Sequence, residues 1–118
     1  MDTEAEKLLA RVAGPVGWDD LPEAEPHPGV RARRFDTEHA TVVRYELAPG
    51  AEYPLHGHPE EQLVQVLVGN LDFQLGDSTL RLAEGDLVHV EGDVRHGARC
   101  RGPDTAVFLN VVIPRRRA

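Results

Sequence analysis

Between Gly50 and Gly69 the chain reads G-A-E-Y-P-L-H-G-H-P-E-E-Q-L-V-Q-V-L-V-G, and few backbone arrangements accommodate it. Glu52–His56 and Gln62–Val68 have the short, β-branched and aromatic character of strands, and Pro59 with two glutamates turns the chain between them. If the first strand carries on through His58, then His56 and His58 project from one face, because side chains alternate along a strand. Gln62, at the start of the next strand, then points its amide oxygen back at the same place. Two neutral imidazoles and an oxygen converging on one point are ligands for a divalent metal: such nitrogens suit iron, nickel, copper or zinc, and the oxygen hardens the site. A fourth ligand is wanted, and Gly85–Cys100, G-D-L-V-H-V-E-G-D-V-R-H-G-A-R-C, offers His96 after a strand-like run and a turn at Glu91-Gly92-Asp93.

The rest of the chain is patterned as strands of similar length. Val30–Phe35, Thr41–Leu47, Leu71–Leu75, Thr79–Leu82, Leu87–Val90, Gly97–Arg101 and Thr105–Ile113 are short, and Pro49-Gly50, Gly69-Asn70 and Gly76-Asp77 punctuate them. Many closely spaced short strands imply a sandwich or barrel. Alternation places Gln62, Val64, Val66 and Val68 on one face, so an apolar pocket is expected beneath the metal. His96, Ala98 and Cys100 share a face in the same way, which makes Cys100 a small buried hydrophobe. Leu63 and Leu67, on the opposite face of their strand, need an apolar partner, and a homodimer is expected. Before the strands, Thr3 and Glu6 can form a capping box for a short amphipathic helix carrying Leu8, Leu9 and Val12, ended by Gly14-Pro15. The domain reading is therefore a helix and extended arm over residues 1–27, a barrel over 28–114 and a basic tail over 115–118.

At 118 residues the chain is one domain, and its formal net charge of −7 argues against nucleic-acid and anionic-membrane partners. Cys100 is the only thiol, so no intrachain disulfide exists. The acidic N-terminus lacks the basic and apolar regions of a signal peptide, and no stretch reaches the roughly 18 apolar residues of a membrane span. A cytoplasmic location is expected.

Gly50, His56, His58 and Gly69 resemble the first signature of the cupin superfamily, G-x5-H-x-H-x3,4-E-x6-G, with Gln62 in the place of its Glu. Gly85 and His96 resemble the second, G-x5-P-x-G-x2-H-x3-N, with Glu91, Asp93 and Cys100 at its Pro, second Gly and Asn. The resemblance implies an all-β double-stranded β-helix, or jelly-roll barrel, holding one divalent transition-metal ion (iron, nickel, manganese or zinc) on His56, His58, Gln62 and His96. The runs P-L-H-G-H-P-E-E-Q and L-N-V-V-I-P-R-R, with W-D-D-L-P and H-P-G-V near the start, look like the small single-domain cupins of pectin degradation, which convert unsaturated monouronates. Those cupins carry Asp, Phe and Arg on the last strand, where this chain has Asn110, Val112 and Arg116.

A metal with one neutral amide and three neutral imidazoles keeps its full charge for an open position, which suits polarising a carbonyl or enolate oxygen of a small anionic substrate. Glu52, Tyr53 and His89 are the candidates for proton transfer by proximity in sequence, and Arg116 for clamping a carboxylate. Three function classes follow: a non-redox isomerase or lyase acting on an anionic sugar or keto acid, an iron-dependent dioxygenase, and a non-catalytic small-molecule-binding module.

Overall fold

The computed structural model describes residues 14–116. The amphipathic helix expected near Thr3–Val12 lies outside them. Among the described residues the helical content is a single 3-10 turn, Trp18–Asp20, and no helix is long and apolar enough to cross a membrane.

Ten strands follow: β1 (Glu23–His27), β2 (Val30–Asp36), β3 (Thr41–Leu47), β4 (Glu52–His56), β5 (Glu61–Val68), β6 (Asn70–Leu75), β7 (Ser78–Ala83), β8 (Leu87–Val90), β9 (His96–Cys100) and β10 (Ala106–Ile113). They form a six-stranded sheet in the order β1-β2-β3-β10-β5-β8 and a four-stranded sheet in the order β4-β9-β6-β7, with every pairing antiparallel. From β3 onward the chain passes repeatedly from one sheet to the other, and this is the double-stranded β-helix that the motifs imply. The segment before Val30, expected to be extended because of its prolines, supplies β1 at the edge of the larger sheet.

Alternation builds the core. Along β3 the residues Thr41, Val43, Tyr45 and Leu47 are buried, while Val42, Arg44 and Glu46 lie on the outer face. Leu47, Val64, Val66, Leu71, Phe73 and Val90 are at most 2% exposed, and they fill the space between the sheets. Val68 departs from its expected inward face and is 47% exposed. The register of β5 against β10 shifts between Val66 and Val68, and such an irregularity re-aims the strand as it leaves the barrel. Cys100 is buried as expected, with its thiol donating to the Asp104 carbonyl at 3.2 Å.

The outer faces of the two sheets differ in character. Across the larger sheet, Phe35, Val42, Val111 and Leu63 are successive register partners on four neighbouring strands. Across the smaller sheet the corresponding row is Glu52, Arg99, Asp72 and Arg81, alternating in charge.

Candidate metal centre

His56 ends β4 and His96 begins β9, and the two strands pair so that these residues are register partners. Between Tyr53 and His56 the register slips: Tyr53 faces Ala98 and His56 faces His96, so Pro54 and Leu55 together oppose Gly97. This bulge lets Tyr53 and His56, three residues apart, both turn inward. Gly97 is required there, because a Cβ would stand 2.9 Å from the Tyr53 carbonyl oxygen.

His58 arrives from a loop rather than from an extension of β4. Its carbonyl accepts a hydrogen bond from the Asp93 amide at 2.8 Å, which ties the loop to the turn preceding His96. Gln62 enters on β5, from the opposite sheet, and is 2% exposed. Two sheets and one loop thus bring four side chains together: one ring nitrogen from each histidine lies within 4.8 Å of the others, and Gln62 Oε1 is 3.0 Å from His58 Nε2.

Hydrogen bonds fix which nitrogen each ring offers. His56 Nδ1 donates to the Pro54 carbonyl at 2.8 Å, His96 Nδ1 to that of Val94 at 2.8 Å and His58 Nδ1 to that of Glu60 at 2.9 Å. A carbonyl only accepts, so each Nδ1 carries the proton and each Nε2 keeps its lone pair. His96 Nε2 is buried with no partner among the described residues. The Gln62 amide lies 3.0 Å from His58 Nε2, so it either gives its NH2 to that lone pair or turns its oxygen to join the ring in holding a cation. This donor set fits a divalent transition metal and holds its imidazoles in the neutral, ligating form.

The electrostatics agree. Burial pushes His96 down to about 4, with the neighbouring His56, His58 and Arg116 charges acting in the same direction. Burial also lowers His56 from the usual histidine range, helped by His58, Arg116 and His27. Without metal, these shifts make stability depend on pH. The unfolded chain takes up protons near pH 6.5 and the folded site does not, so stability is complete above 6.5 and falls as the pH drops toward 4. Urea unfolding of chelator-treated protein is expected to show a loss on the order of 2–3 kcal/mol between pH 7 and pH 4.5 from His96. A flat profile over that interval would contradict the buried, neutral His96.

A small cavity of about 20 Å3 adjoins the centre, lined by Tyr45, Tyr53, Phe73, Phe108 and Asn110 together with His56, Gln62 and His96. Tyr45 is stacked on Phe108 at 5.1 Å and meets Tyr53 edge-on at 5.4 Å, and Tyr53 in turn lies 4.7 Å from the His56 ring. Burial holds the Tyr45 phenol far above its ordinary range, and the adjacent Tyr53 hydroxyl adds to the effect.

Of the residues singled out in the sequence for proton transfer, Tyr53 alone reaches the cavity. Glu52 is exposed and lines a groove on the outer face of the smaller sheet. His89 is exposed on β8 and pairs with Glu61 at 2.8 Å. The Arg116 guanidinium is near enough to disfavour charge on both His56 and His96. Its backbone amide is anchored to Thr41 Oγ1 at 3.0 Å. Tyr45 and Phe108 were not singled out, although the alternation of β3 already marks Tyr45 as inward-facing.

Residues 43–112 match the cupin domain family. The chain is a cupin. Among solved structures, an RmlC-like cupin from Shewanella frigidimarina superposes with a TM-score of 0.79 at 20% identity, covering 86% of this cupin and 91% of that chain. KdgF from a Halomonas species gives a TM-score of 0.74 at 25% identity, covering 84% and 91%. A predicted oxalate decarboxylase from Thermotoga maritima gives 0.76 at 20% identity, covering 86% and 99%. No curated protein matches this cupin at a significant level. At these identities the likenesses establish the fold, and the chemistry has to be argued from the site.

Proposed function

We propose that this cupin is a metal-dependent enzyme of the isomerase or lyase type acting on a small anionic sugar acid or keto acid, with one divalent transition-metal ion held by His56, His58, Gln62 and His96. The observation that carries the reading is the buried His96 Nε2, without a partner among the described residues, gathered with nitrogens from His56 and His58 and with the Gln62 amide 3.0 Å from His58. An ion on four neutral ligands supplies an undiminished Lewis acid toward a substrate oxygen.

The chain's own residues do the binding and orienting. Tyr45 stays protonated, so its phenol and that of Tyr53 offer hydrogen-bond donors beside the centre. Phe73 and Phe108 wall the cavity with apolar surface, and Arg116 favours a carboxylate near its mouth. The limited volume restricts the substrate to a small molecule. The resemblance of its motifs to the cupins of pectin degradation supports a sugar acid. Among the described residues no carboxylate lines the cavity, and this favours as a second reading a cupin that binds such a molecule without turning it over.

Gln62→Glu tests the reading. The variant is expected to keep its metal, since a carboxylate is a better ligand for a dication, and to lose at least tenfold in turnover on any acid found by screening small sugar and keto acids. The added negative charge weakens the pull on a substrate oxygen and repels an anion, and about 1.4 kcal/mol in the barrier suffices for tenfold. An oxygen requirement with an undiminished rate in the variant would overturn the proposal in favour of an iron dioxygenase.

The same reading includes a homodimer built on the outer face of the larger sheet. The apolar row Phe35, Val42, Val111 and Leu63 fits a second copy of itself, whereas the charged row of the smaller sheet is suited to water. Sedimentation equilibrium is expected to give a dimer for the wild type at micromolar concentration and a monomer for Leu63→Lys, Val111→Lys. A monomeric wild type rejects it.

A further inference from the structure

Arg115, Arg116 and Arg117 form a basic run beyond β10, and arginines in such a position are ordinarily left to water. Arg115 is exposed, whereas Arg116 is partly buried. Asp36 and Thr41 are register partners at the turn between β2 and β3. Thr41 is buried, and its hydroxyl donates to Asp36 Oδ1 at 2.6 Å. The same hydroxyl accepts from the Arg116 amide at 3.0 Å. Arg34 Nη2 donates to the Arg116 carbonyl at 2.8 Å, and Arg34 Nε donates to Asp36 Oδ1 at 3.2 Å. Four hydrogen bonds thus close a ring through both main-chain polar groups of residue 116.

The Arg116 charge bears on Tyr45, His56 and His96 alike, so the ring anchors a guanidinium beside the metal centre. Arg34 is paired with Asp36, whereas Arg116 has no carboxylate partner among the described residues. We propose that Arg34, Asp36 and Thr41 are positioning residues: their clasp on the main chain of residue 116 holds its guanidinium where it takes the carboxylate of the substrate. The inference rests on the proposed function for the anionic nature of that substrate. A guanidinium carried on a fixed main chain has less freedom to lose on binding than one on an unanchored segment, so the clasp raises the affinity for a carboxylate without touching it. Thr41 separates this role from plain charge. It carries none, so replacing it removes no charge from the site, and a loss of preference for an anion has to pass through Arg116.

Lactate and lactamide, nearly equal in shape and different by one charge, are the probes, titrated calorimetrically into the full chain at measured metal content. Wild type is expected to prefer lactate, and Arg116→Gln to lower that preference about fivefold or more. Thr41→Val, close to isosteric, is expected to lower it as far at unchanged metal content, and to have no further effect when added to Arg116→Gln. Thr41→Ser keeps the hydroxyl and is expected to keep the preference. Amide exchange at residue 116 reads the clasp itself, slow in wild type and in Thr41→Ser and fast in Thr41→Val.

The proposal alone is overturned if Arg116→Gln or Thr41→Val retains the wild-type preference, if Thr41→Val lowers it equally in the Arg116→Gln background, or if the residue 116 amide already exchanges fast in wild type. A wild type that binds neither probe, or does not distinguish them, fails at an earlier point. It removes the anionic substrate from the proposed function and this role with it, whatever the exchange rates show.

Discussion

Replacing His56 and His58 together by alanine is expected to leave less than about a tenth of the wild-type metal on the purified protein. The two residues supply half of the proposed donor set, and the remaining His96 and Gln62 come from different sheets and cannot close around an ion alone. The fold should survive the change. Both positions lie at the rim, His56 at the end of β4 and His58 in a loop, and neither belongs to the cluster of buried apolar side chains. Elemental analysis beside a far-ultraviolet circular dichroism spectrum reads both. Metal content equal to wild type would remove the assignment of the centre.

Gly92→Ala should weaken metal binding roughly 10- to 100-fold although residue 92 offers no ligand atom. A methyl group there would fall well inside contact distance of the Pro59 carbonyl oxygen. The neighbouring Asp93 amide holds the His58 carbonyl at 2.8 Å. The loop that presents His58 therefore rests against the turn that leads into His96, and an added methyl drives them apart. Overpacking of this kind costs about 1–3 kcal/mol where the structure absorbs it. Here the yielding part is the His58 loop, because the turn is continuous with β9. Competition against a coloured chelator measures the affinity, and an unchanged value would show that loop and turn do not set the position of His58.

Much of this arrangement is legible in the residues. Turn signals at Pro49-Gly50, Gly69-Asn70 and Gly76-Asp77 bound the strands, and Thr41–Leu47, Glu52–His56 and Leu87–Val90 form over the spans their patterns indicate. The histidine spacing marks the centre because a backbone of this geometry leaves few other ways to use it. What escapes sequence reasoning depends on irregularities that have no composition of their own. The bulge opposite Gly97 brings Tyr53 and His56 to one face, and strict alternation does not foresee it. The slip between β5 and β10 turns Val68 outward. Glu52 is different, since it adjoins an inward-facing tyrosine on a strand, and alternation alone already directs it away from the cavity. Asp93 adopts a φ of 67° where the resembling signature has glycine, which explains how the turn before His96 persists without one: aspartate is among the few side chains that tolerate that region.

The three imidazoles are oriented by the carbonyls of Pro54, Glu60 and Val94. A carbonyl oxygen is the same whichever side chain its residue bears, so at positions 54 and 94 the outer support of the centre is carried by the path of the main chain, while at position 60 the carboxylate also stands 3.6 Å from His58 Nδ1. Positions 54 and 94 can drift through many residue types in descendants of this chain without turning a ring, whereas inserting or deleting one residue between Tyr53 and Gln62 would misdirect two rings at once. Inheritance of the centre is thus tolerant of substitution and intolerant of changes in length.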